Sequence, residues 1–144
     1  MPHYDLHCHT NHSDGQLSVE QLLLRAVERG VDVLAITDHD TLSGSRVATE
    51  YLQRNVLPLQ LVTGVEISCS WHAFEIHVVA LNVDLDNASL NDLLQQQQQA
   101  REQRFAQMLD KLTKRAVMLS REDCRITGMP TRKHLADAMV EKGI

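Results

Sequence analysis

The stretch VDVLAITDHD, residues 31–40, decides how this chain folds. Val31 to Thr37 is a short, largely apolar run, of the kind buried on both faces of a parallel sheet, and it ends in Asp38, His39 and Asp40. Upstream, HYDLH (3–7) is a second strand candidate. Between the two, Ser18 with Gln21 three residues later predicts a capping box at a helix start. Val19, Leu22, Leu23, Ala26 and Val27 then repeat at helical spacing, and Gly30 ends the helix. Downstream, a helix over about 43–54 leads to the strand LPLQLVTGVEIS (57–68), and FEIHVVALNV (74–83) follows. An order of β-α-β-α-β and a fourth strand predicts an α/β barrel or layered sheet.

After Asp86 the character changes. Residues 88–118 read as one long helix, with Leu90, Leu93, Leu94, Phe105, Met108, Leu109 and Leu112 at helical spacing. The run Gln95–Gln99 fits it as a polar helical stretch, because glutamine is a good helix former. EDCRITGMP (122–130) connects to a short helix, Thr131–Lys142. The chain therefore divides at 86/87 into a sheet-forming part, 1–86, and a helical part, 87–144. Charge is divided as well. Residues 1–99 hold 4 basic and 13 acidic groups, whereas 100–144 hold 10 basic and 6 acidic. A basic segment beside an acidic, histidine-rich one suits a metal site with a phosphorylated substrate.

Composition narrows the classes. The 144 residues, 43% apolar, are enough for one domain with a core, or for part of a larger one. No apolar run approaches the roughly 20 residues of a membrane span, and MPHYDLH lacks the pattern of a secretory signal. Cys8, Cys69 and Cys124 are odd in number and lack CxxC spacing, so they read as reduced thiols of a cytoplasmic protein. Neither a GxSxG elbow nor a GxxxxGKS phosphate loop is present.

The strand ends carry the chemistry. DLHCHTNHSDG (5–15) supplies Asp5, His7 and His9, with Asp14 in the loop beyond; TDHD supplies Asp38, His39 and Asp40; GVEIS supplies Glu66; EIHVV supplies His77. Sites in barrels and open parallel sheets form at the carboxyl ends of the strands. His7 and His9, at i and i+2 on a strand, face the same way, and Cys8 between them faces the packed side. Asp5, two residues before His7, is placed to orient an imidazole as a hydrogen-bond acceptor. Taken singly, His77 reads as an ordinary strand histidine, Glu66 as a solvated acid and Asp14-Gly15 as a turn. Agreement among four strand ends points to a metal, and imidazoles with carboxylates suit manganese, iron or zinc.

DLHCHTNHSDG, AITDHDT, GVEIS and EIHVVALN resemble the opening motifs of the PHP (polymerase and histidinol phosphatase) family. Within it they are most similar to the branch of nucleoside 3′,5′-bisphosphate phosphatases and 5′-to-3′ exoribonucleases of the RNase AM type. REQRFAQM (101–108) and PTRKHLADAMVEKG (130–143) resemble that branch's helical insertion more loosely. The resemblance implies a distorted (β/α)₇ barrel, present here in part, with a helical insertion and up to three divalent metals, manganese foremost. It implies that His7 and His9 hold a first metal with Glu66 bridging, that His77 serves a second, and that Asp14 and His39 serve a third. Asp38 is then a supporting acceptor behind the ligands. The family's later ligands, a histidine followed by proline and a closing Asp-x-His motif, have no match here. The expectation is the amino-terminal part of a longer enzyme, inactive alone.

The chemistry implied is hydrolysis of a phosphate ester by metal-activated water, acting on a small phosphorylated nucleotide or the 5′ end of short RNA. Arg101 and Arg104 share a helix face, and Arg132 and His134 open the last helix, where an anion is favoured. These four are the candidate substrate contacts, through bidentate guanidinium–phosphate bonds for the arginines. Trp71 is a candidate for stacking a base or for packing. A histidinol-phosphate phosphatase and a metal-binding fragment without turnover are the rival readings; oligomeric state is open.

Overall fold

The computed structural model describes residues 1–72 and 74–144. The elements run β1 (Tyr4–Cys8), α1 (Val19–Glu28), β2 (Val33–Ile36), α2 (Ser43–Arg54), β3 (Gln60–Trp71), β4 (Phe74–Leu81), α3 (Ala88–Thr113), a single 3₁₀ turn (Glu122–Cys124) and α4 (Arg132–Glu141). One sheet has the order β1-β2-β3-β4, with the first three strands parallel and β4 antiparallel to β3. β3 changes partner along its length: Gln60–Thr63 pair with β2, and Gly64–Trp71 pair with β4. Residues 72 and 73 alone separate β3 from β4. A parallel crossover needs roughly a dozen residues, so β4 returns as a hairpin. The result is a mixed α/β fold with a curled half-barrel sheet, edged by β1 and β4.

Local sequence explains the first helix. Ser18 and Gln21 form the reciprocal capping box, and Gly30 beyond the helix takes φ +71°, a conformation open to glycine without strain. Val19, Leu23 and Ala26 from α1 and Ala48 from α2 pack on Leu34 and Ile36 of β2. All four residues of β2 are buried, as a central parallel strand demands.

α3 belongs to two cores. Its first turns bring Leu94 to Val65 and Leu42 beside the hairpin, and its later turns bring Phe105 to Leu119, Cys124, Leu135 and Ala138. The helix stops at Thr113, short of the 118 that spacing predicts. Ala116 takes φ +61°, and the Val117 N–H turns back to the Leu112 carbonyl, which caps the carboxyl end. Among the described residues, no helix is long and apolar enough to cross a membrane.

Candidate metal centre

The site begins with an irregularity in β1. Asp5 pairs with Leu34 and Cys8 with Ile36, so β1 carries one residue more than β2 over this stretch. Such a bulge re-aims side chains. Here the Asp5 carboxylate accepts from the His7 backbone N–H at 3.4 Å. Cys8 packs inward, its thiol donating to the Ala35 carbonyl at 3.1 Å. Burial, with the nearby charges of Asp5 and Asp38, pushes that thiol up to about 12, so it is inert.

The imidazoles converge on one carboxylate. His7 Nε2, His9 Nε2 and His39 Nδ1 lie 3.1, 3.2 and 3.4 Å from Glu66 Oε2, and His77 Nδ1 lies 3.2 Å from Oε1. Asp14 closes the far side, 3.6 Å from His39 Nε2 and 3.9 Å from His9 Nδ1. The His9 and His39 rings stack at 4.6 Å. His77 reaches the cluster because β4 is antiparallel: its amino-terminal half lies beside the carboxyl-terminal half of β3, with Ser68 opposite His77.

Three ring nitrogens crowd a single oxygen, and buried His39 Nδ1 has no hydrogen-bond partner among the described residues. Within the protein alone that is an unsatisfied cluster. Three ligand sets, His7–His9–Glu66, His9–Asp14–His39 and His39–Glu66–His77, each bring their donor atoms within 4.8 Å of one another. Imidazole and carboxylate donors so arranged fit divalent ions of the manganese, iron or zinc class. The electrostatics agree. Burial and neighbouring His39 lower the His9 imidazole toward its neutral form. Burial opposes ionisation of Asp14, yet the hydrogen bond and charge of His39 bring its carboxyl down to about 2. Burial likewise opposes ionisation of Glu66, and the surrounding His7, His39 and His9 overcome it. Neutral imidazole and ionised carboxylate are the ligating forms.

Asp38 supports the loop, and through the Ser13 hydroxyl, 3.5 Å from His9 Nδ1, it stands behind a ring. It accepts from the Thr10 N–H at 2.7 Å, the Thr10 hydroxyl at 2.6 Å and the Ser13 hydroxyl at 2.6 Å, which fastens the segment between His9 and Asp14. The first turn of α2 presses against the same carboxylate: a Cβ at Gly44 would lie 2.1 Å from Asp38 Oδ2. Glycine is required there by close approach, and the helix end favours the anion.

Beside the cluster, a cavity of about 150 Å³ is lined by Asp14, His39 and His77 together with the basic residues Arg104, Arg132 and Lys133. Glu75, which sequence reasoning missed, holds two of these together. It accepts from Arg104 at 2.9 Å and Arg132 at 2.8 Å, and its Oε1 is 3.5 Å from His77 Nε2. Burial works against the Glu75 charge, but Arg132, His77 and Arg104 hold its carboxyl at about 2.

Arg101 also lines this cavity, but its donors are engaged by protein oxygens, and His134 lies elsewhere. Arg101 is buried, with Nε and Nη2 on Asp40 Oδ2 at 3.0 and 2.7 Å, Nη2 on the Ser68 hydroxyl at 2.7 Å and Nη1 on the Pro130 carbonyl at 3.2 Å. His134 turns its Nδ1 to the Thr131 N–H at 3.1 Å, capping α4, and lines a second cavity of about 450 Å³. Trp71 pairs with Phe74 on the hairpin face opposite Ser68 and His77, since successive strand residues alternate faces.

The PHP domain family matches residues 5–124 of the sequence. The chain belongs to the PHP domain family. This PHP chain is 43% identical over 143 residues to the 5′-3′ exoribonuclease Rnm of Salmonella typhimurium, a match that covers 97% of the chain and 49% of that protein. It is 31% identical over 147 residues to the 3′,5′-nucleoside bisphosphate phosphatase of Chromobacterium violaceum, covering 99% and 51% respectively. Among solved structures, one described as a metal-dependent phosphoesterase from Bifidobacterium adolescentis superposes with a TM-score of 0.89 at 29% identity, over 99% of this chain and 51% of that one. The PHP chain thus spans about half the length of the curated relatives it matches. The family match runs past position 86, so it includes all of α3 and the 3₁₀ turn that follows.

Proposed function

We propose that this chain carries the metal-binding part of a phosphoesterase that hydrolyses phosphate esters of small nucleotides or of RNA 5′ ends. The supporting observation is the crowding of His7, His9 and His39 on Glu66 Oε2, beside a cavity that His39 lines together with Arg104, Arg132 and Lys133. His7, His9 and Glu66 would hold one divalent ion, Glu66 and His77 a second, and Asp14 and His39 a third; manganese is the first choice. When bound, such ions supply an activated water and offset charge on phosphoryl oxygens.

The remaining work falls to the chain's own side chains. Arg104 and Arg132 bind a phosphate on the substrate, exchanging Glu75 for the ligand anion. Lys133 adds a cation at the same cavity. Asp38 keeps the loop from Thr10 to Ser13 fixed, which holds His9 and Asp14 at their separation. An error of about 1 Å in such a site can cost roughly 10²-fold in rate, so this fixing is part of catalysis.

The test supplies the carboxyl-terminal half of the Salmonella relative in trans, with manganese, and measures phosphate release. Release from a nucleoside 3′,5′-bisphosphate that is abolished by His9→Ala in this chain is the expected result, with this chain alone well below about 1 s⁻¹. Equal release from histidinol phosphate, or release indifferent to His9→Ala, contradicts the assignment.

A further inference from the structure

Asp40 occupies the junction between the ligand-bearing strands and α3. It follows His39 directly, is completely buried (0% exposed), and takes φ +52°, in the left-handed region that non-glycine residues rarely adopt. Such a conformation persists only where the surroundings over-determine it. Its N–H donates to the Glu66 carbonyl at 2.9 Å, while its carboxylate accepts the Ser68 N–H at 2.8 Å and the Ser68 hydroxyl at 2.7 Å. α3 supplies the rest: Arg101 donates twice to the Asp40 carboxylate, Gln98 donates to the Asp40 carbonyl at 2.9 Å, and Gln97 donates to the Ser68 carbonyl at 2.9 Å. Positions 97, 98 and 101 lie on one helical face. Next to Asp40, His39 forms an isolated bridge with Glu66, and the Glu66 N–H reaches the Asp38 carbonyl at 3.2 Å.

We propose that Arg101, assisted by Gln97 and Gln98, is a positioning residue for the metal centre: it holds Asp40 and Ser68, and through them the backbone that aims His39 and Glu66 at each other. The inference rests on reading His39 and Glu66 as metal ligands. It reassigns Arg101 from substrate contact to strut. The Arg101 side chain is only 9% exposed and its donors face protein oxygens. A phosphate taking this guanidinium would strand the Asp40 carboxylate, buried and without its cation, and a stranded buried charge is strongly destabilising. The glutamine run gains a purpose as well, since a long neutral donor reaches a carbonyl without adding charge beside the acidic cluster.

The test compares Arg101→Met and Gln98→Ala with the unaltered chain, by histidine ring NMR without metal and by manganese titration. His39 stacks on His9, so both rings report its position. The expected result for Arg101→Met is displaced His39 and His9 ring signals, unchanged His3 and His72 signals, and manganese affinity weakened about tenfold or more. Gln98→Ala keeps the buried ion pair and decides the matter if Arg101→Met does not fold; it should displace the same signals less. A role in packing alone would lower the melting temperature of both variants and leave the ring signals of the folded protein in place. That outcome overturns the proposal, as does loss of inorganic phosphate binding with manganese affinity intact. If the unaltered chain binds no manganese, the metal reading fails, and the ring signals still decide whether Arg101 positions His39.

Discussion

The half-barrel and the helical segment treat their charged side chains in opposite ways. In the half-barrel, His7, His9, His39 and His77 gather on the single carboxylate of Glu66, and His39 Nδ1 is left without a partner among the described residues. The cations of the helical segment meet anions, two of them in the half-barrel: Arg101 with Asp40, Arg104 and Arg132 with Glu75, and, within the segment, Arg121 with Glu102 and Lys142 with Asp123. A fold does not leave buried polar groups unsatisfied without a reason, so the first arrangement marks chemistry. In the second, the buried Arg101–Asp40 pair marks architecture, the Glu75 pairs hold two arginines at the cavity, and the exposed pairs contribute little stability individually.

If the helical segment has its own core, the largest effect belongs to Phe105, 1% exposed at its centre. Phe105→Ala should cost about 3–5 kcal/mol in denaturant unfolding. Near-neutral behaviour would mean that α3 and α4 do not pack as a unit. Gly44→Ala probes the half-barrel. A methyl group 2.1 Å from Asp38 Oδ2 must push α2 or the carboxylate aside, at about 1–3 kcal/mol in the same assay. An unchanged midpoint would show that the support behind His9 and Asp14 is loose.

Two smaller effects sharpen the contrast at the cavity wall. In a reconstituted enzyme, Arg132→Ala should raise KM about tenfold or more for a substrate with two phosphates, and less for one with a single phosphate. Equal effects would remove Arg132 from that role. Glu75 has the smallest expected effect. Its carboxyl sits at about 2 in the folded chain against an ordinary 4.5, so its stabilisation is complete above 4.5 and is lost as pH falls from there toward 2. Glu75→Gln should therefore lower the melting temperature slightly at about pH 6, and the difference should shrink at about pH 3. A difference that grows on acidification would contradict the ion-pair account.

What the sequence revealed follows from how far each interaction reaches. Ser18 and Gln21 are three residues apart, so their capping box is legible locally, and the hydrophobic spacing of α1 goes with it. The ligand set is legible for a related reason: His7, His9, His39, Glu66 and His77 each stand in or just beyond a strand that can be read from its own sequence. The contact of Asp5 with the His7 backbone was not legible, because parity assumes a regular strand and the bulge that breaks it depends on pairing with β2. Glu75 was silent, and Asp40 was legible as a strand-end acid but not as an anchor, because their partners come from far along the chain, Arg132 at 57 residues' separation and Arg101 at 61. The arginines themselves were visible as charge, but charge alone does not tell a phosphate contact from a buried strut. Gln97 and Gln98 looked like filler in a polar helix for the same reason.

The central claim is that the strand-end histidines form a metal site while the neighbouring histidines do not. Manganese bound per chain, measured by elemental analysis after dialysis, tests it most directly in the unaltered chain, His9→Ala, His12→Ala and His72→Ala. Metal bound by the unaltered chain, lost in His9→Ala and retained in His12→Ala and His72→Ala, is the expected result. The same metal content in all four, or none in any, would contradict the account.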